Sequence, residues 1–140
     1  MTFNLNSVSD TPYWKYFAFA VAVVATVGSQ YFGRVMGLTP CELCWYQRIF
    51  MYPLVLIIGV GIYKHDKVGR YVLPLSILGF VTASYHNYLQ VTPSMTGTCD
   101  SVVPCTAVLY RFMGLSIPMM SLIAFSLISI AFIYPFIKKG

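Results

Sequence analysis

Residues 39–63 read TPCELCWYQRIFMYPLVLIIGVGIY. From Cys44 to Tyr63 the stretch carries one formal charge, Arg48, among predominantly apolar side chains. Its length matches the roughly 20 residues, at about 1.5 Å each, that a helix needs to cross a bilayer core. Three more stretches share the character: about Tyr16 to Phe32 (YFAFAVAVVATVGSQYF), about Tyr71 to Gln90 (YVLPLSILGFVTASYHNYLQ) and about Leu115 to Ile137 (LSIPMMSLIAFSLISIAFIYPFI). All four exceed the length of buried strands, and their β-branched residues are interleaved with Leu, Met, Ala and Gly. The expected fold is all-α: an integral membrane four-helix bundle made by residues 1–140 as a single membrane domain.

Composition points the same way. Only 9% of the 140 residues are charged and 58% are hydrophobic, against about 25% charged in an ordinary soluble domain. Nine Lys and Arg with four Asp and Glu are too few to solvate a globule, and the mean hydropathy is +0.72. A soluble enzyme, a disordered tail and a nucleic-acid binder are therefore disfavoured. The net charge of +5 is scattered singly or in pairs and forms no basic patch. The first span lacks a strongly positive leader and a small-x-small cleavage site, so it reads as a retained helix.

Lysine and arginine near helix ends set orientation. Lys15, Lys64, Lys67, Arg70, Lys138 and Lys139 fall on one side; Arg34 and Arg111, with Arg48 just inside a helix, fall on the other. Both termini and the KHDKVGR connection are thus expected in the cytoplasm, with the loops at about 33–43 and 91–114 outside the cell membrane. All four cysteines lie in or beside those outer loops: Cys41 and Cys44 at the first, Cys99 and Cys105 in the second. The oxidising side of a membrane is where disulfides persist.

The two pairs differ. Thr39 followed three residues later by Glu42 spells a capping box, with Pro40 at the first helical position. Cys41 and Cys44 are then expected in the first turns of the second helix, where unpaired N–H groups and the macrodipole favour a thiolate. Arg48 stands four residues after Cys44 on the same face, roughly 6 Å deeper. A charge inside a span costs a few kcal/mol and is usually retained for pairing or function. It can stabilise a thiolate, donate to an electron-rich ligand oxygen, or simply snorkel to the headgroups. Cys99 and Cys105 flank a short polar segment containing Pro104, and a bridge there closes too small a loop to stabilise much. Such an exposed disulfide is the kind that exchanges. Thr106 to Met113 reads as a short interfacial helix, and Ser116 as the cap of the fourth span with Pro118 in its first turn. His86 lies near the outer end of the third span, as a satisfied interface residue or as a hydrogen-bond donor level with Arg48. A structural zinc site is the competing reading of four cysteines, disfavoured because no His accompanies them in the outer loops.

CELCWYQR at the head of the second span, HNYLQ ending the third and the TCD opening the loop pair together resemble the DsbB family of disulfide bond formation proteins, especially its short bacillus-type (BdbC-like) members. The likeness covers essentially the whole chain. It implies a thiol:quinone oxidoreductase, active as a monomer in the plasma membrane. Cys99 and Cys105 would take electrons from an extracytoplasmic thioredoxin-fold thiol oxidase (DsbA/BdbD-like). These would pass to Cys41 and Cys44, then to a quinone, menaquinone or ubiquinone, held near Cys44, Arg48 and His86. No metal or nucleic acid enters. Two features depart from better-known members: the loop cysteines are close together, and Gln47 stands where an acidic residue can precede the Arg. A non-catalytic tetraspan scaffold with structural disulfides, and a small transporter using Arg48 and His86, are the rival readings.

Overall fold

A computed structural model describes residues 12–39, 41–64, 68–92 and 111–139. Cys99, Cys105, His65 and the segment 106–110 lie outside the described residues. Four helices dominate: α1 (Pro12–Gln30), α2 (Glu42–Tyr63), α3 (Gly69–Val91) and α4 (Ile117–Lys139). α1 packs on α2 and α4, and α3 packs on the same two, so the four close into a bundle. α1 continues into a π-helical turn at Tyr31–Val35, beyond the expected end near Phe32.

The core follows helical spacing. Met51, Leu54 and Ile58 on α2 meet Ala18 and Ala22 on α1, Val72 and Ala83 on α3, and Phe125, Ile128 and Phe132 on α4. The outside is apolar as well: Val24, Leu56 and Ile130 are 71%, 69% and 59% exposed. A surface of this kind faces hydrocarbon rather than water.

Among the described residues, three segments are long and apolar enough to cross a membrane: Tyr13–Val35, Glu42–Tyr63 and Ile117–Tyr134. The chain is thus a mostly helical membrane protein. The span expected at 71–90 falls on helix α3, which is not among the three. Its buried seam explains the shortfall: Gly69, Val72, Ser76, Gly79, Ala83, His86 and Leu89 recur every three or four residues, and most are small or polar. Small residues let helices approach closely. A Cβ at Gly79 would lie 2.2 Å from Phe125 Cε1, so the aromatic ring of α4 occupies the notch that glycine leaves. Ser129 donates to Ser76 Oγ at 3.1 Å across the same seam. Thr82, Ser84 and Asn87 return their side chains to carbonyls four residues back, which hides some of the remaining polarity.

The reading of 106–113 as a helix fails where it can be compared. Arg111–Phe112 (β1) pairs antiparallel with Leu115–Ser116 (β2), in register Arg111 with Ser116 and Phe112 with Leu115. Met113 and Gly114 turn the chain with φ of 52° and 85°. Two consecutive positive φ values fit a tight hairpin and are incompatible with a helix, and glycine supplies the second without strain. The hairpin also delays α4 to Ile117, with Ser116 immediately before it and Pro118 in its first turn.

Candidate active site

The α2 start differs from the capping-box reading. Cys41, not Thr39, is the N-cap, with φ −73° and ψ 171°, and the helix begins at Glu42. Proline disfavours helical conformation in the residue before it, and the extended ψ at Cys41 delays the helix further. The Trp45 amide donates to the Cys41 carbonyl at 3.2 Å, making the first turn. Cys44 is then the third helical residue, one turn above Cys41, and the two sulfurs stand 3.3 Å apart. That is a dithiol about one ångström from the roughly 2.05 Å of a disulfide.

Cys41 is buried with Leu89, Leu43 and Cys44 around it. His86 Nε2 lies 3.6 Å from its sulfur, and the Gln47 side-chain nitrogen lies 3.2 Å from His86 Nδ1. Cys41 precedes the apolar segment of α2, and its thiol pKa is pulled from 9.0 down to about 4. The hydrogen bond from Cys44 is the largest cause. The His86 ring and the Cys44 backbone amide add to it, and together they outweigh the upward push of burial. A thiol ionised in the folded but not the unfolded chain stabilises the reduced fold. That contribution is full above 9.0 and is lost as pH falls through about 4. The unfolding temperature of reduced protein should therefore climb between about pH 5 and 8, and Cys41→Ser should flatten the climb. Parallel curves for the two proteins would mean that Cys41 is not ionised in the fold.

Cys44 faces the other way, into a cavity of about 500 Å³ between α1, α2 and α4. Gln47, Arg48, Ser29 and Tyr52 line it with Cys44, and Val24, Met51, Met120 and Ile123 are among its apolar walls. Arg48 Nε donates to Ser29 Oγ at 2.8 Å and Nη2 to the Ser29 carbonyl at 2.9 Å, with the guanidinium 5.5 Å from the Trp45 ring. Arg48 thus crosses to α1 instead of snorkelling. Gly33, in the π-helical turn, makes room for it: a Cβ there would sit 2.7 Å from Nη2. Deeper along the wall, Gln30 donates to the Tyr52 hydroxyl. The Thr26 hydroxyl lines the same cavity, buried and without a hydrogen-bond partner among the described residues. An apolar cavity with a fixed cation and a few polar atoms suits a flat apolar ligand bearing acceptor oxygens.

Of the expected site residues, Cys41, Cys44, Arg48 and His86 gather at one end of the bundle. Cys44 and Arg48 line the cavity; Cys41 and His86 do not. His86 is 1% exposed and reaches Cys41 instead of the cavity. Cys99 and Cys105 fall outside the described residues. Sequence reasoning missed Ser29 and Gly33, although a Ser-Gln pair within an apolar run is a signal of buried polar contacts. It also gave Gln47 no role. Three potential metal-ligand atoms, from Cys41, Cys44 and His86, lie within 4.8 Å of one another; the spacing equally suits a dithiol with an imidazole neighbour.

Comparison with known proteins matches the sequence to a described family. The family model "Disulfide bond formation protein DsbB" matches residues 12–135. The chain is 44% identical over 119 residues to disulfide bond formation protein C of Bacillus subtilis, covering 82% of this chain and 86% of the relative. It is 40% identical to a probable disulfide formation protein of Chlamydia muridarum, over 81% of this chain and 84% of that one. A probable disulfide formation protein of Coxiella burnetii is 35% identical, over 89% and 88% of the two chains. No solved structure matches significantly. With a vicinal thiol pair at a helix start, an arginine beside it and a family model spanning nearly all of the sequence, the chain belongs to the DsbB family of disulfide bond formation proteins.

Proposed function

We propose that this protein is a membrane thiol:quinone oxidoreductase that reoxidises an extracytoplasmic thioredoxin-fold thiol oxidase and so supports disulfide formation in secreted proteins. The observation that carries the reading is the split of the thiol pair: Cys44 borders an apolar cavity that also holds Arg48, while Cys41, 3.3 Å away, lies outside it. A quinone, when bound, supplies an acceptor for two electrons and two protons. Cys44 and Arg48 would hold it, with Ser29 fixing the guanidinium. Arg48 presents a permanent positive charge where acceptor oxygens gain electron density, and it does so in a cavity whose apolar walls limit water. Cys41 is the sulfur left free to exchange with Cys99 or Cys105, the pair we assign to the partner oxidase. The exchange is balanced. A thiolate of the reduced loop pair attacks Cys41 in the Cys41–Cys44 disulfide, and Cys44 leaves as thiolate. The second loop thiol then closes the Cys99–Cys105 bridge, leaving the helix pair as a dithiol. When that dithiol closes its bridge again, with Cys41 as thiolate, it releases the two electrons and two protons that a quinone would take.

The charge bias supports an arrangement with both termini in the cytoplasm and the thiols outside, in one membrane domain of four spans. Purified protein in lipid should reduce a menaquinone or ubiquinone analogue when given a reduced thioredoxin-fold dithiol, at one quinone per dithiol. Absence of quinone reduction, with the dithiol untouched, would leave a structural scaffold as the reading. Arg48→Met keeps the side-chain volume and removes a charged donor worth about 1.5–3 kcal/mol. It should lower kcat/KM for quinone by roughly 10- to 150-fold. Unchanged quinone kinetics in that variant would remove Arg48 from the mechanism.

A further inference from the structure

We propose that Gln47 is a positioning residue: its side-chain amide sets the tautomer of His86 and so aims an N–H donor at the Cys41 sulfur. The role rests on Cys41 working as a thiolate, as in the function proposed above. Three observations lead to it. Gln47, His86 and Cys41 are 4%, 1% and 3% exposed, so water is not at hand to choose the tautomer. The contacts run in series, Gln47 Nε2 to His86 Nδ1 at 3.2 Å and His86 Nε2 to Cys41 Sγ at 3.6 Å. Finally, Gln47 also lines the cavity beside Cys44 and Arg48, so one side chain stands between the ligand space and the imidazole.

The chemistry follows from what each group can do. An amide nitrogen only donates, so Nδ1 must accept and the ring proton must sit on Nε2, facing sulfur. A hydrogen bond to the charged form favours that form, here the thiolate. Reversing the amide would let its oxygen accept from Nδ1–H. Nε2 would then face the sulfur as a bare acceptor, and the contact would favour the thiol. The orientation of one amide thus decides whether His86 helps or hinders ionisation. The same arrangement removes the Nε2 lone pair that a cation held by Cys41, Cys44 and His86 would require. The titratable and charged groups around the pair, among the described residues, are Cys44 and Arg48 from α2 and His86 from α3, with Glu42 beside Cys41 exposed.

The direct test is the ¹⁵N spectrum of His86 in the reduced, full-length protein labelled on histidine. The expected result is a protonated Nε2 and an accepting Nδ1; a proton resting on Nδ1 overturns the proposal without any mutation. The second test uses the chain with Cys99→Ala and Cys105→Ala, so that thiolate absorbance near 240 nm reports the helix pair alone. Gln47→Leu should raise the lower of the pair's two midpoints by about one unit, a tenfold loss of thiolate below it, the size of one hydrogen bond. His86→Ala should raise it as well, and Gln47→Leu should add nothing once His86 is absent. Equal shifts by Gln47→Leu with and without His86, or no shift at all, would overturn the role. None of these measurements uses quinone or partner. A failed tautomer assignment in a protein that reduces quinone sinks this inference alone, and a confirmed one in an inactive protein sinks only the proposed activity.

Discussion

Cys44→Ser should bring quinone reduction down to the uncatalysed background while leaving the helices in place. Serine nearly matches cysteine in size, and Cys44 is only half-buried, so the unfolding temperature should move by no more than a few degrees. The chemical loss is total because the Cys41–Cys44 bridge cannot form, and with it goes the route by which two electrons leave the loop pair. Cys41 keeps a hydroxyl neighbour and its imidazole, so it can still attack a disulfide. Without a second thiol to complete the exchange, the variant should accumulate Cys41 joined to Cys99 or Cys105, visible in a non-reducing peptide map. Residual turnover above background would show that Cys44 is dispensable and that electrons leave the chain elsewhere. A variant that unfolds readily, from a parent with no activity to lose, would instead identify the bridge as a brace.

The second large effect concerns packing. Phe125 is fully buried and sits in the notch at Gly79, where even a methyl group would lie 2.2 Å from the ring. Phe125→Ala removes that filling at the main contact between α3 and α4 and widens the wall of the ligand cavity, which Phe125 also lines. Phenylalanine truncation in a packed core costs about 3–5 kcal/mol. In a bilayer the term arises from lost contacts more than from exposure to water, which favours the lower end. Reversible unfolding in mixed detergent micelles measures it directly. A loss under about 1 kcal/mol would mean that the ring is not seated as described.

What could be read from the sequence was whatever is local and periodic. Runs of apolar residues located four helices to within a few positions, and the spacing of Cys41, Cys44 and Arg48 put them along one helix. Local rules failed where two signals competed: the pattern at Thr39–Glu42 pointed to an earlier cap, but the extended backbone at Cys41 moved the start to Glu42. The Met113–Gly114 turn was missed because a methionine with positive φ has no sequence signature. The Gln47–His86–Cys41 series was out of reach for a different reason. It joins residues 39 and 45 positions apart, and only the packing of α3 on α2 decides which way the imidazole turns. Ser29 met Arg48 across 19 positions in the same manner. The placing of Arg48 and His86 near one quinone came from the family resemblance; their similar depth along the spans agrees with it but does not specify azimuth around the bundle.

The seam of α3 has a consequence for how the protein is made. A helix with serine, glycine, alanine and histidine along its inner stripe gains little by entering lipid alone. Its stability in the membrane depends on α2, synthesised before it, and α4, synthesised after it, to cover that stripe. During biogenesis α3 is therefore the segment most dependent on a translocation channel or chaperone, and a chain truncated before α4 should be a preferred target for membrane quality-control proteases.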